Sequence, residues 1–123
     1  MSGNSIVADT SLIVNLFNGV ELAKNAMQDR HIWLSCITEI ELLSFQDLTR
    51  EEEALIRSFL NESNVIDLIM PIREITINLR KNLRLKVPDA IIAATSIYLD
   101  IPLITMDKDV RNIDQLNSVI LEL

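Results

Sequence analysis

Short apolar runs alternate along this chain with longer stretches in which apolar residues recur every three or four positions. The first run, residues 6–8, and the runs around Trp33, Val65 and Ile104 have the length and character of buried strands. The stretches between them have the spacing of amphipathic helices. Because strands that alternate with helices favour a parallel sheet, the pattern predicts an α/β domain.

The same pattern gives bounds for the predicted elements. Strands are predicted at residues 6–8, 31–35 and 64–68, around Ile104 and, as a sheet edge, at 119–121. Helices are predicted over residues 12–17 and 20–27, and from Thr38, Thr49, Pro71 and Pro88 onward.

Composition narrows the class of protein. With 123 residues, 49% of them hydrophobic and only 4% aromatic, the chain is expected to form one domain over residues 1–123 with an aliphatic core. Two glycines and three prolines are too few for an all-β sandwich with many tight turns. The single cysteine, Cys36, fits a buried structural thiol in a reducing compartment. Because the start lacks a signal-peptide pattern and no apolar run reaches membrane-spanning length, we expect a soluble cytoplasmic protein without a membrane partner.

An acidic residue stands directly after the first predicted strand. Asp9 is followed by Thr10 and Ser11, either of which suits the N-cap of the next helix. The carboxyl edge of an open parallel sheet is where ligand and catalytic groups collect. Asp9 is therefore either a turn or capping residue or part of a site, and only further acids at the same edge favour the second interpretation.

Two threonine–glutamate pairs have the spacing of a capping box. Thr49 and Glu52 belong to an acidic helix start and predict a cap that faces solvent. Thr38 and Glu41 allow two interpretations. They either form the same kind of cap, or the helix that follows the second strand brings Glu41 to the sheet edge at which Asp9 lies.

Two later segments repeat the placement of an acid beside a strand or a helix start. Pro88 suits the first turn of a helix, where the helix dipole favours the neighbouring Asp89. The apolar run that ends at Thr105 is followed by Asp107 and Asp109, and we prefer Asp107 because it lies two residues after Thr105. Four acids are thus predicted to meet at one edge of the sheet: Asp9, Glu41, Asp89 and Asp107.

Four neighbouring carboxylates require a counter-charge, since like charges would drive some of them to take up protons. Oxygen ligands without a His or Cys cluster select Mg²⁺ or Mn²⁺ rather than zinc. Such a site activates water and polarises phosphate esters, so the inferred reaction is hydrolysis of a phosphodiester. The chain has no Walker-type glycine loop, no dinucleotide fingerprint and no Ser/His/Asp set, because His31 is its only histidine.

The net charge argues against binding of a polyanionic substrate, whereas a local cluster of basic residues favours it. A net charge of −7 argues against nonspecific binding of nucleic acid. Arg73, Arg80 and Arg84 nevertheless project to one flank of a predicted apolar helix stripe, and residues 73–86 hold five of the 11 basic residues. This flank is either a solvated helix face or a face that meets RNA phosphates.

Four motifs, taken in order, resemble one protein family. They lie at residues 7–11, 38–42, 88–93 and 103–109, so the resemblance extends over essentially the whole chain. In order and spacing they are similar to the PIN-domain ribonucleases, and most of all to the VapC-type toxins of toxin-antitoxin pairs. The resemblance implies a three-layer α/β/α fold with a central parallel sheet of four to five strands. It also implies endonucleolytic cleavage of RNA by a water molecule that Mg²⁺ or Mn²⁺ activates.

The resemblance further implies roles for individual residues. Catalytic and metal-binding roles fall, by motif position, on Asp9 as the central ligand and on Glu41, Asp89 and Asp107. Supporting roles fall on Thr10, Ser11 and Thr105, and on Asp109, which competes with Asp107 for the last acidic position. The family also implies a homodimer and inhibition by an antitoxin protein.

Other classes of protein stay open at this point. A PIN-fold nuclease of RNA processing or DNA metabolism would differ only in substrate. A phosphoacceptor receiver domain shares the length and the α/β pattern, but it requires adjacent acids after the first strand, where this chain has Asp9 alone. A non-catalytic binding module of the same fold is the third alternative, and the complete set of acids speaks against it.

Overall fold

Strands and helices alternate along the part of the chain that the computed structural model describes, which is residues 3–108, 113 and 116–122. The strands are β1 (Ser5–Ala8), β2 (His31–Ser35), β3 (Asn64–Ile66), β4 (Leu103–Thr105) and β5 (Ser118–Ile120). The helices are α1 (Thr10–Phe17), α2 (Glu21–Met27), α3 (Cys36–Leu43), α4 (Arg50–Glu62), α5 (Met70–Asn82) and α6 (Val87–Leu99).

The strands form one parallel sheet with the order β3-β2-β1-β4-β5. The central strand is β1, which pairs Ile6 with Ile32 of β2 and Ala8 with Ile104 of β4. The predicted parallel sheet is thereby confirmed, with five strands. Because neighbouring strands run in the same direction, the carboxyl ends of β2, β1 and β4 lie side by side.

Alternate side chains of β1 face two different helical layers. Ile6 and Ala8 pack with residues of α1, α2, α3 and α4, whereas Val7 packs with residues of α5 and α6. Helix α6 is the most deeply buried, with an unbroken run of buried residues over 90–96. The fold therefore has three layers, α/β/α, with an aliphatic core on each face of the sheet.

Helix α1 is capped by Asp9 rather than by Thr10 or Ser11. The backbone of Asp9 is extended, and its Oδ1 accepts a hydrogen bond from the backbone N–H of Leu12 at 2.9 Å. The capping residue lies earlier than predicted because Asp9 follows β1 directly and has an oxygen within reach of the first turn. The hydroxyls of Thr10 and Ser11 are consequently available to other elements.

Helix α3 begins at Cys36, two residues before the predicted start at Thr38. Ser35, the last residue of β2, accepts a hydrogen bond from the backbone N–H of Ile37 at 3.1 Å and caps the helix. Strand β2 therefore runs into α3 without a loop, and Thr38 is fully buried inside the first turn. Of the two interpretations of Thr38 and Glu41, the capping box is therefore wrong, because Ser35 already supplies the cap.

Most other predicted elements agree with the structure. The capping box of Thr49 and Glu52 is present at the start of α4, with both reciprocal hydrogen bonds at 3.0 Å. Strand β5 lies at a sheet edge, as predicted. Strand β3 is shorter than predicted, so Asp67 follows it and is exposed.

Cys36 is a free thiol and is partly exposed, not buried as predicted. Across the described residues, no helix has both the length and the apolar character needed to cross a bilayer.

Candidate functional site

Asp9 lies at the carboxyl end of the central strand and is only 7% exposed. Both of its carboxylate oxygens accept hydrogen bonds. Oδ1 accepts from the backbone N–H of Leu12 at 2.9 Å and from the hydroxyl of Ser11 at 2.8 Å, while Oδ2 accepts from the hydroxyl of Thr105. Because every one of these partners is a donor, the arrangement suits a carboxylate in its charged form.

Two hydroxyls connect Asp9 to the backbone that follows β4. Ser11 Oγ accepts a hydrogen bond from the N–H of Met106 at 3.2 Å, and Thr105 Oγ1 accepts one from the N–H of Asp107 at 2.8 Å. Each hydroxyl gives its single proton to Asp9, so its lone pairs are available to these N–H groups. The segments after β1 and β4 are thereby joined around one carboxylate.

The environment of Asp9 raises the pKa of its carboxyl above the ordinary value of 3.8. Burial is the main cause, since it penalises the charged form. The hydrogen bonds from Thr105, Leu12 and Ser11 oppose this effect, and the nearby negative charge of Asp107 adds to it. The attraction of a cation bound beside Asp9 would offset both the burial penalty and the repulsion from Asp107.

Glu41 joins the site through the hydroxyl of Thr10. This hydroxyl donates to Glu41 Oε1 at 2.6 Å, and Thr10 Oγ1 also lies 3.1 Å from Thr38 Oγ1. Thr10 is the first residue of α1 and follows Asp9 directly. A carboxylate of α3 is therefore held next to the end of β1.

The remaining predicted acids lie on neighbouring elements. Asp107 follows β4 and is partly exposed. Asp89 is partly exposed in the first turn of α6, and this helix packs against both β2 and α3. Asp109 lies outside the described residues. The structure therefore brings Asp9, Asp107 and Glu41 to one edge, and it places Asp89 on a helix that packs against the helix of Glu41.

The donors at this edge fit a hard divalent cation by their chemistry. They are carboxylate and hydroxyl oxygens, the ligands that Mg²⁺ and Mn²⁺ prefer. Asp107 is close enough to Asp9 for its negative charge to raise the pKa of the Asp9 carboxyl. Among the described residues, however, no three His, Cys, Asp or Glu side chains are already arranged to hold a metal ion.

The three arginines predicted to meet RNA are all exposed. Arg73 Nη1 donates to the carbonyl oxygen of Leu68 at 2.7 Å, and Arg80 Nε donates to that of Leu85 at 3.1 Å. Helix α5 has ended before Arg84, so this residue follows the helix instead of continuing its flank. Arg73 and Arg80 therefore combine exposure with an anchored guanidinium, whereas Arg84 belongs to the segment that leads into α6.

Ser35 caps the helix that carries Glu41, and Thr38 contacts Thr10, although neither contact was predicted. For Ser35, the preference of serine for helix N-caps, at the point where an apolar run ends, could have revealed its role. Thr38 offers no local pattern of this kind, because its partner Thr10 lies 28 positions away in the sequence.

Comparison with known proteins identifies the family. Residues 6–116 match the family model described as PIN domain. The chain therefore belongs to the PIN-domain family, as its four motifs predicted. None of the curated proteins matches the chain significantly in sequence.

Several solved structures are similar to this chain. The chain is 31% identical to a chain of a toxin-antitoxin complex from Klebsiella pneumoniae, covering 93% of this chain and 95% of that one with a TM-score of 0.81. It matches VapBC2 from Rickettsia felis, bound to a promoter DNA fragment, at 20% identity, covering 94% and 97% with a TM-score of 0.80. It matches VapBC-1 from nontypeable Haemophilus influenzae at 22% identity, covering 94% and 97%, also with a TM-score of 0.80. Because the last two are less than 25% identical to this chain, they show the fold alone: the chain is a PIN domain with the fold of the chains matched in these VapBC structures.

Proposed function

We propose that this chain is a metal-dependent endoribonuclease and the toxin of a toxin-antitoxin pair. Proteins of the PIN family are usually nucleases, so membership supports a hydrolase that acts on phosphodiester bonds. The observation that carries the proposal is Asp9, a buried carboxylate with hydrogen bonds on both oxygens, at the edge where Glu41 and Asp107 also lie. RNA is the proposed substrate because the four motifs resemble those of PIN-domain ribonucleases.

The proposed cofactor is Mg²⁺ or Mn²⁺. The residues that would hold it are Asp9, Glu41, Asp89 and Asp107. When bound, the ion would lower the pKa of the attacking water and offset the negative charge that grows on the phosphate. Two observations support it: the donors are oxygens, and burial together with Asp107 raises the pKa of Asp9, which a cation would reverse.

The polar residues around the acids act by holding them in place. Ser11 and Thr105 fix both oxygens of Asp9 and are themselves fixed by backbone N–H groups. Thr10 holds the carboxylate of Glu41 at 2.6 Å. Such outer partners typically change metal affinity or activity by about 10- to 100-fold when they are removed. Supporting roles for Thr10, Ser11 and Thr105 are therefore part of the proposal.

The experiment that tests the proposed function is an RNA cleavage assay with Mg²⁺ or Mn²⁺, repeated in EDTA. Asp9→Asn is compared with Asp29→Asn, which makes the same change at an exposed aspartate before the opposite end of β2. We expect cleavage by the wild type and Asp29→Asn, and none by Asp9→Asn or in EDTA. Activity that survives both EDTA and Asp9→Asn would contradict the mechanism. Cleavage of DNA instead of RNA would favour the alternative substrate.

We also propose that the exposed arginines contact RNA phosphates. Arg73, Arg80 and Arg84 offer positive charge on a chain whose net charge is −7, which makes a local attraction necessary. Reversing all three charges is expected to weaken RNA binding and to flatten its dependence on salt. Unchanged affinity and salt dependence would remove these residues from the RNA-binding surface.

An apolar cleft supports an antitoxin partner. It has a volume of about 400 Å³ and lies between α1, α3 and α4, where Phe17, Phe45 and Leu55 are 41%, 48% and 61% exposed. Large exposed apolar side chains around one cleft are typical of a protein-binding surface. The similar solved chains come from toxin-antitoxin complexes. Leu55→Glu is expected to abolish co-purification with the cognate antitoxin, and retained binding would exclude this cleft.

Three further features belong to the same proposal. We propose that residues 1–123 form a single PIN domain, that two copies form a homodimer and that the protein acts in the cytoplasm. The homodimer follows from the resemblance to VapC-type toxins, and sedimentation analysis of the purified chain tests it. A monomer at micromolar concentration would exclude the dimer and leave the nuclease proposal intact.

A further inference from the structure

The hydroxyl of Thr38 is used differently from those of the other threonines buried in helices. Thr76 and Thr95 each donate to the carbonyl oxygen four residues earlier in their own helix, at 2.8 Å. This bond is the usual way in which a helix satisfies a buried threonine. Within the described part of the chain, the hydroxyl of Thr38 makes its hydrogen-bond contact with Thr10 on another helix instead.

The distances around Thr10 determine the direction of this contact. Thr10 Oγ1 has one proton and two neighbours, Glu41 Oε1 at 2.6 Å and Thr38 Oγ1 at 3.1 Å. A carboxylate has no proton to give and is the stronger acceptor, so the proton of Thr10 points to Glu41. Thr38 must then donate its own proton to Thr10. The three groups form a directed chain from Thr38 through Thr10 to Glu41.

We propose that Thr38 is a positioning residue of the active site, which orients the hydroxyl of Thr10 so that Glu41 is held at the sheet edge beside Asp9. Thr38 suits this role because it is fully buried on α3, the helix that also carries Glu41 three positions later. Its branched side chain has few rotamers, so the position of its hydroxyl follows from the helix backbone. The catalytic consequence rests on the proposed function, whereas the orientation of Thr10 does not.

The test compares three variants of the full chain. Thr38→Val keeps the shape and removes the hydroxyl, Thr38→Ser keeps the hydroxyl, and Thr95→Val removes a hydroxyl of similar burial away from the site. We expect Thr38→Val to lower kcat for RNA and the affinity for Mn²⁺ by about tenfold each, the usual loss when an outer partner of a metal ligand is removed. KM for RNA is expected to stay unchanged. Thr38→Ser should restore most of kcat, and Thr95→Val should leave it at the wild-type value.

A double variant separates positioning from packing. If Thr38 acts through Thr10, adding Thr38→Val to Thr10→Val lowers kcat no further than Thr10→Val alone. A Thr38→Ser variant as impaired as Thr38→Val would show that Thr38 acts by packing and would overturn the inference. Additive effects of the two valine substitutions would overturn it as well.

A measurement without RNA or metal tests the orientation of Thr10 by itself. Three-bond NMR couplings to the Thr10 methyl group report its side-chain rotamer, which should be single in the wild type and Thr95→Val and averaged in Thr38→Val. A wild type that cleaves no RNA, combined with an averaged Thr10 rotamer in Thr38→Val, would refute the proposed function and retain the positioning role. A Thr10 rotamer that is unchanged in Thr38→Val would refute the positioning role whether or not RNA is cleaved.

Discussion

Two segments of this chain carry the same threonine–glutamate spacing and use it for different purposes. Thr49 and Glu52 form a reciprocal cap on the exposed start of α4. Thr38 and Glu41 lie within α3, where neither caps the helix and both approach the hydroxyl of Thr10. The spacing is identical, so the spacing alone does not decide the outcome.

Whether the threonine caps its helix depends on the residues that precede it. Ser35 ends β2 and already caps α3, which moves Thr38 from the cap position into the buried first turn. No strand runs directly into α4, and Thr49 is the residue at its cap position. Because Ser35 caps α3, the side chains of Thr38 and Glu41 are not used for capping and can contact Thr10 instead.

The largest difference between the two segments is expected in catalysis. Glu41→Gln should lower RNA cleavage by about 100-fold, because a neutral amide is a poorer ligand for a divalent cation than a carboxylate. Loss of a ligand should cost at least as much as loss of an outer partner of a metal site, which costs about 10- to 100-fold. Glu52→Gln makes the same change in the surface cap and should leave kcat unchanged. Both are measured in the metal-dependent cleavage assay. Equal activity of the two variants would remove Glu41 from the site.

A smaller effect is expected on stability when either cap is removed. Ser35→Ala and Thr49→Ala should each lower the free energy of unfolding by about 1 kcal/mol, the usual contribution of an N-cap, as measured by urea denaturation. Only Ser35→Ala should also lower cleavage, because Ser35 sets the start of the helix that presents Thr38 and Glu41. Full activity in Ser35→Ala would show that the start of α3 does not position the site.

The smallest expected effect is on how the free energy of unfolding changes with pH. Glu52 in the cap of α4 and Asp9 in the site should change it in opposite directions. Hydrogen bonds from the backbone and side chain of Thr49 lower the pKa of Glu52 below 4.5, so this carboxylate stabilises the fold above that pH and the contribution is lost as the pH falls. Burial raises the pKa of Asp9 above 3.8, so its contribution to stability declines as the pH rises from 3.8 through the raised pKa.

Urea denaturation in EDTA between about pH 3 and 7 tests both signs, since this range brackets the ordinary carboxyl pKa values. Glu52→Gln should lose the gain in the free energy of unfolding that Glu52 gives as the pH rises. Asp9→Asn should lose the fall in the free energy of unfolding that Asp9 causes as the pH rises. The stability of Asp9→Asn relative to the wild type should therefore increase with pH. Parallel pH profiles for Asp9→Asn and the wild type would contradict the burial of a charged Asp9.

Much of the fold could be predicted because its patterns are local. The apolar run of β1 and the proline in the first turn of α6 define their elements without reference to the rest of the chain. Boundaries were less predictable, because a cap depends on which of several adjacent polar residues reaches the first N–H groups. Asp9 took this role ahead of Thr10 and Ser11, and Ser35 took it ahead of Thr38.

The acids of the site could be proposed from sequence, but their supporting contacts could not. Asp9 and Asp107 stand after apolar strands, and this placement predicts that they share a sheet edge. The bonds from Thr105 to Asp9 and from Thr10 to Glu41 span 96 and 31 positions. Contacts of this range follow from the sheet order and from helix packing, which no local pattern contains.

We propose above that the carboxylates around Asp9 hold a divalent cation. The most direct test is titration with Mn²⁺, followed by electron paramagnetic resonance, of the wild type, Asp9→Asn and the matched surface variant Asp29→Asn. We predict that the wild type and Asp29→Asn bind Mn²⁺ with the same affinity and that Asp9→Asn binds at least about tenfold more weakly, since even outer partners of a metal site contribute that much. Equal Mn²⁺ affinity of Asp9→Asn and the wild type would contradict a divalent-cation site at Asp9.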